Sequence, residues 1–140
     1  MGHSHADHEI RPRSCPPAPF RLAAEAQHQE LVRRVIGAYQ QFILRAHAQG
    51  IKVIGATILP FAGNEFYHPN DANESDRQAI NAWIRTPGHL VAVVDFDKLM
   101  ADPAHPTQLR PDYDCGDHLH PSPAGYRAMA DAIPLSLFAR

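Results

Sequence analysis

The period of the apolar positions changes several times along this chain, and each change marks an element. Leu31, Val32, Val35, Ile36, Tyr39, Phe42, Ile43 and Ala46 recur at three- and four-residue steps. That spacing predicts one long amphipathic helix over residues 22–49, stopped by Gly50, with its apolar stripe in the core. Residues 51–60 are a nearly continuous apolar run closed by Pro60, which predicts a buried parallel strand. A helical period returns at Ala79, Ile80, Trp83 and Ile84, with Asp71 or Asn73 available as the cap and Pro87-Gly88 as the stop. Residues 90–96, rich in valine, predict a second strand. A last helix over residues 123–133 buries Ala128, Met129, Ala132 and Ile133 before Pro134 breaks it.

Helix and strand alternate, so the predicted class is α/β, with a few parallel strands and flanking helices. Two strands make a poor sheet, and an apolar strand left bare on one edge invites another chain. The expected remedy is a twofold homodimer that pairs the two copies of the 51–60 strand. Residues 1–20 have no such periodicity and carry Pro12, Pro16, Pro17 and Pro19. They are expected to form an arm, leaving one α/β domain over residues 21–140.

Composition narrows the function. The chain has 140 residues, 44% hydrophobic and 20% charged, with a formal net charge of -2. Such a balance offers no basic footprint for nucleic acid and no polybasic patch for a membrane surface. No apolar run approaches the roughly 20 residues of a transmembrane helix, and the start of the chain lacks a signal-peptide core. The expected location is therefore cytoplasmic. Two cysteines, Cys15 and Cys115, leave pairing open. Histidine is the outlier: ten in 140 residues raise the question of metal.

The densest chemistry lies in Asp114-Cys115-Gly116-Asp117-His118-Leu119-His120-Pro121-Ser122-Pro123-Ala124-Gly125-Tyr126. Ser122 can cap the following helix, and Pro123 fits its first turn. A carboxylate three residues before a histidine suits a base and its orienting group. The same acids and imidazoles suit a metal ion. Asp117-x-x-His120-Pro121 followed by Gly125-Tyr126 resembles the last block of the SGNH, or GDSL-type, hydrolases. The resemblance runs from about Gln27 to Phe138 and takes in Ile54 to Phe61, Arg77 to Arg85, Asp95-Phe96-Asp97 and Asp102-Pro103. It implies a flavodoxin-like three-layer fold in truncated form, corresponding to the C-terminal half of such an enzyme. It also implies that Asp117 and His120 are the catalytic Asp and His. The family's Gly-Asp-Ser block, its central Gly block and its Gly-x-Asn-Asp block are not found, and no Gly-Asp precedes Ser4, Ser14, Ser75, Ser122 or Ser136.

At the other end, His3-Ser4-His5-Ala6-Asp7-His8 resembles the His-x-His-x-Asp-His zinc motif of the metallo-β-lactamase superfamily. Alternate histidines converge on one ion, and the Asp-His pair can take a second. The leading expectation is therefore a metal-dependent hydrolase of carboxyl or phosphate esters. His3, His5, Asp7 and His8 would meet Asp117, His118 or His120 on zinc, with manganese or cobalt as alternatives, and bound water would attack. One alternative is a serine esterase of the SGNH kind built on Asp117 and His120; another is an inactive remnant that binds metal. In any of these, Asn64, Glu65 and His68, in the Gly/Asn/Pro-rich loop after the first strand, are candidates to face a small-molecule substrate.

Overall fold

The computed structural model describes residues 18–138. Helix α1 (Ala18–Ala48) leads to strand β1 (Ile54–Ala56), helix α2 (Asp71–Arg85) and strand β2 (Ala92–Val94). Short helix α3 (Phe96–Met100), helix α4 (Pro123–Asp131) and a 3-10 turn (Leu135–Phe138) complete the order. The two strands pair in parallel, Ile54 opposite Ala92, Gly55 opposite Val93 and Ala56 opposite Val94. An α/β fold with parallel strands is what the alternation predicts. Pairing between two copies of the chain remains a proposal.

Both strands are shorter than the apolar runs that announced them. Beyond Ala56 the backbone of Ile58 turns to a side chain instead of a strand: Asn81 on α2 accepts from its N–H at 2.7 Å and donates to its carbonyl at 2.9 Å. The Asn81 amide thus stands in for a neighbouring strand, satisfying both backbone groups with one fully buried residue. On the second run, Asp95 leaves the strand to cap α3, accepting from Lys98 N–H at 3.3 Å. The α2 cap is Asn70, one residue before Asp71 and three before Asn73, in a reciprocal capping box with Asn73.

The apolar stripe of α1 is less covered than its periodicity suggested. Ala46 is buried, whereas Leu31, Tyr39 and Phe42 are exposed, Phe42 at 64%. Helix α1 packs chiefly on α2, where Tyr39 meets the Trp83 ring at 6.1 Å between centroids. Along α2, Ile80 and Ile84 are buried, Trp83 is half-buried and stacked on His89, and Ala79 is exposed. Among the described residues the apolar core is small: Ala46, Ile80, Ile84, Val94, Met100 and Leu109.

A polar core lies beside it. Arg77, 3% exposed, donates to Ile58 O at 2.8 Å, to Asp97 at 2.5 Å and through two nitrogens to Glu74 at 2.8 and 2.7 Å. Arg85 clasps Asp95 with both Nε and Nη2 and reaches Asp97 at 2.7 Å. The Arg85 bond is the main reason that the Asp95 carboxyl falls to about 2. Thr57 closes the circuit, donating to Asp95 and accepting from the Asp97 N–H. Helix α2 is thereby tied by polar bonds to the segments that follow both strands.

Helix α4 starts as its sequence predicts, with Ser122 accepting from Gly125 N–H and Pro123 in the first turn. Gly125 is buried, and a Cβ there would come within 2.7 Å of the Tyr113 carbonyl oxygen and 3.0 Å of Met100 and Pro121. Because that oxygen is backbone, Gly125→Ala is expected to cost about 1–3 kcal/mol, outweighing alanine's gain in helix propensity. Urea unfolding measures this directly, and an unchanged or raised midpoint would show that the close approach is not real.

Candidate active site

Two loops meet beyond the C-terminal ends of the strands, the side on which open α/β sheets place ligands. One, after β1, carries Asn64, Glu65, Tyr67 and His68. The other runs from Asp114 to Pro121 and is pinched shut at its neck. There Asp114 and Pro121 form an antiparallel bridge, Cys115 N–H donates to His120 O at 3.0 Å, and Ser122 N–H donates to Tyr113 O at 2.7 Å.

Two acid–imidazole pairs are built inside this short loop. Asp117 Oδ1 accepts from the backbone N–H of Leu119 at 2.9 Å and of His120 at 2.8 Å, while Oδ2 lies 2.6 Å from His120 Nδ1. Spacing explains the geometry. A carboxylate folded back over its next three residues caps their amides with one oxygen and leaves the other for the ring. The His120 bond is the largest cause holding the Asp117 carboxyl well below the usual carboxylate range. Asp114 repeats the arrangement: Oδ1 accepts from Gly116 and His118 N–H, and Oδ2 lies 2.7 Å from His118 Nδ1. His118 adopts a φ of 58°, a left-handed conformation that its own loop bonds maintain.

Asn64 joins the two loops. It is 6% exposed, donates to Asp117 O at 2.8 Å and accepts from Tyr67 N–H at 2.9 Å. A substrate contact was the expectation for it; its polar atoms are used to hold the loop carrying Asp117. Gly63 lies under the His118 ring, where a Cβ would come within 3.2 Å. Glu65 shares a groove with Asp117, His118 and His120. His68 is exposed, with a φ of 44°, and does not line that groove.

No described serine hydrogen-bonds to His120. Ser122 Oγ donates to Asp112 O and caps Gly125, and Ser75 Oγ donates to Asp71 O. The nearby thiol is no substitute. Desolvation first, and then its bond to Asp117, push the Cys115 pKa up, so it is not poised as a thiolate at neutral pH. Asp114, Cys115 and Asp117 bring potential metal-binding atoms within 4.8 Å of one another. His3, His5, Asp7, His8 and Cys15 lie outside the described residues, so the expected convergence of the N-terminal histidines on Asp117, His118 and His120 is not placed. His28 lies 2.5 Å from Asp76 at the α1–α2 contact.

An acid–imidazole pair on a loop beyond a parallel sheet is an arrangement suited to general acid–base chemistry. Residues 11–128 match the GDSL-like Lipase/Acylhydrolase family. The chain belongs to that family, which supports an ester-hydrolysing enzyme. No curated protein matches the chain. Among the described residues no helix is long and apolar enough to cross a membrane.

Proposed function

We propose that this chain carries the acid–base pair of a serine-type ester hydrolase, with His120 as general base and Asp117 as its orienting partner. The observation that carries the proposal is the 2.6 Å contact between Asp117 Oδ2 and His120 Nδ1, in a loop whose backbone holds the other carboxylate oxygen. With Nδ1–H donated to Asp117, Nε2 is left unprotonated to accept a proton. His120 would take the proton of an attacking hydroxyl and later return one to the departing alcohol, while Asp117 steadies the imidazolium between the two steps. The attacking serine is not identified among the described residues. Ser4, Ser14 or a serine on a second polypeptide could supply it, the last in keeping with the homodimer inferred from β1's bare edge.

A metal-assisted hydrolase is the second reading, favoured by one observation. Both His118 and His120 have Nδ1 fixed by a carboxylate, the arrangement that commonly orients an imidazole whose Nε2 binds zinc. Manganese and cobalt would suit the same ligands, as would the N-terminal histidines if they reach the loop. A hydroxide generated on the metal would then replace serine.

One experiment separates the two. A serine-directed phosphonate should inactivate the enzyme and add its mass to a single serine, while chelation leaves turnover of a chromogenic carboxyl ester intact. Loss of activity on chelation, restored by zinc, together with resistance to the phosphonate, would reject the serine mechanism and support the metal.

A further inference from the structure

His120 stands where two grooves of unlike chemistry meet. On one side is an open apolar trough of Ile58, Leu59, Phe61, Tyr67 and Leu119. On the other is a groove of mixed lining that sets Asn64, Glu65, Asp117 and His118 beside Phe66. Tyr67, Leu119 and His120 line both. The two therefore form one continuous surface with the candidate base at its waist, and a molecule lying across them would present its central bond to His120.

Charge decides what this second groove can take. No lysine or arginine lines either groove among the described residues. Asp117 is paired with His120 and, behind the groove wall, Asp114 with His118. Glu65 is exposed and forms no ion pair among the described residues. The groove is consequently negative. It repels a phosphate or carboxylate and attracts a cation, whose interaction with Glu65 faces no competing internal base.

Resting on the hydrolase reading above, the geometry points to a substrate class: an ester of an apolar acyl group with a cationic alcohol, the acyl chain along the Ile58–Phe61 trough and the ammonium beside Glu65. Phosphomonoesters and esters of acidic alcohols are disfavoured by the same charge. In the reaction the attacking hydroxyl gives its proton to His120 and bonds to the acyl carbon. The ester C–O bond to the alcohol breaks, and the alcohol leaves with that proton. Water, deprotonated in turn by His120, then releases the acyl group. The products are a carboxylate and an amino or quaternary ammonium alcohol.

The test compares three butyrate esters on the full chain: trimethylammonioethyl, its uncharged 3,3-dimethylbutyl isostere, and a carboxylate-bearing alcohol of similar length. The cationic ester should have a kcat/KM about two- to fivefold above the neutral isostere at low salt, a ratio that shrinks as salt is added. In Glu65→Gln the ratio should fall to about one. Equal rates for the cationic and neutral esters, or preference for the acidic one, would overturn the proposal. Binding provides an independent readout through non-hydrolysable ether analogues of the cationic and neutral esters, titrated while the His118 and His120 imidazole resonances are followed by NMR. Tighter binding of the cationic ether, lost in Glu65→Gln, supports the groove assignment even if no ester is turned over, an outcome that would reject only the hydrolase reading. Equal affinity for the two ethers rejects the groove assignment whatever the rates.

Discussion

His120→Ala should lower kcat/KM for a carboxyl ester by about 10²–10⁴-fold, the usual contribution of a positioned general base. The side chain is 62% exposed and its only described partner is Asp117, so the fold should survive, with stability within about 0.5 kcal/mol of the parent. Asp117→Asn is the more discriminating variant. Asparagine keeps an oxygen for the Leu119 and His120 amides, so the loop should hold its shape. Its amide, however, presents a donor to Nδ1 and forces the proton onto Nε2, the atom that must accept one. A loss comparable to that of His120→Ala is therefore expected, with unchanged circular dichroism and unfolding midpoint. The Asp117 carboxyl, held far below its usual pKa, stays ionised through the range in which esterases are assayed. Its sign is that of a depressed acid: the carboxylate is present above the ordinary range and is lost only at strongly acid pH. A fall in rate on acidification to about pH 5 thus cannot be its protonation. Activity within threefold of the parent in either variant would remove the pair from the mechanism.

What could be read from the chain depended on whether the controlling contacts were local. Asp117 and His120 are three residues apart, and the bonds of the Asp117 carboxylate to the His120 ring and to the Leu119 and His120 amides all lie within that span, so the motif carries the geometry of the pair. The same locality governs the Ser122 cap and the Pro123 start of α4. The Asp114–His118 pair was equally local, but its four-residue spacing was not singled out. The strands were a different matter. An apolar run shows where a chain is buried, whereas strand length depends on what lies alongside, and Asn81 occupies the place beside Ile58. Nor does the period of α1 reveal how much of the stripe finds a partner; Phe42 and Leu31 stay exposed because α2 covers only part of it. The polar core did leave a signal in the sequence. Arg77, Asn81 and Arg85 recur every four residues on the face of α2 that also carries Ile80 and Ile84. Charged and amide side chains in register with a buried stripe must find partners, and Asp95, Asp97 and the Ile58 backbone are those partners.

Removing Arg77 should have the largest effect on stability. Burial opposes its charge, but bonds from Glu74 and Asp97 outweigh that and raise its pKa. Replacement by leucine would fill much of the volume yet leave the buried Asp97 carboxylate with Arg85 alone, Glu74 without its fork and Ile58 O with only the Asn81 amide. Breaking a buried ion pair from one side costs about 3–5 kcal/mol, a large part of the roughly 5–15 kcal/mol that keeps a domain folded. Arg77→Lys should recover only part of the loss. One ammonium keeps the charge but cannot reproduce the planar fork that meets Glu74, Asp97 and Ile58 O together. Pairing Arg77→Leu with Asp97→Asn tests the cause: if an uncompensated carboxylate is the penalty, the double variant should be less unstable than the sum of the two single ones. Chemical denaturation with an unchanged slope measures all four proteins on one scale. A loss under about 1 kcal/mol for Arg77→Leu would mean that the bonds are replaced by water at little cost. A loss of the expected size would make this network the clamp on the segment after β1, and Ile58 and Leu59 at its end form one wall of the trough beside His120. Stability and substrate fit would then rest on the same guanidinium.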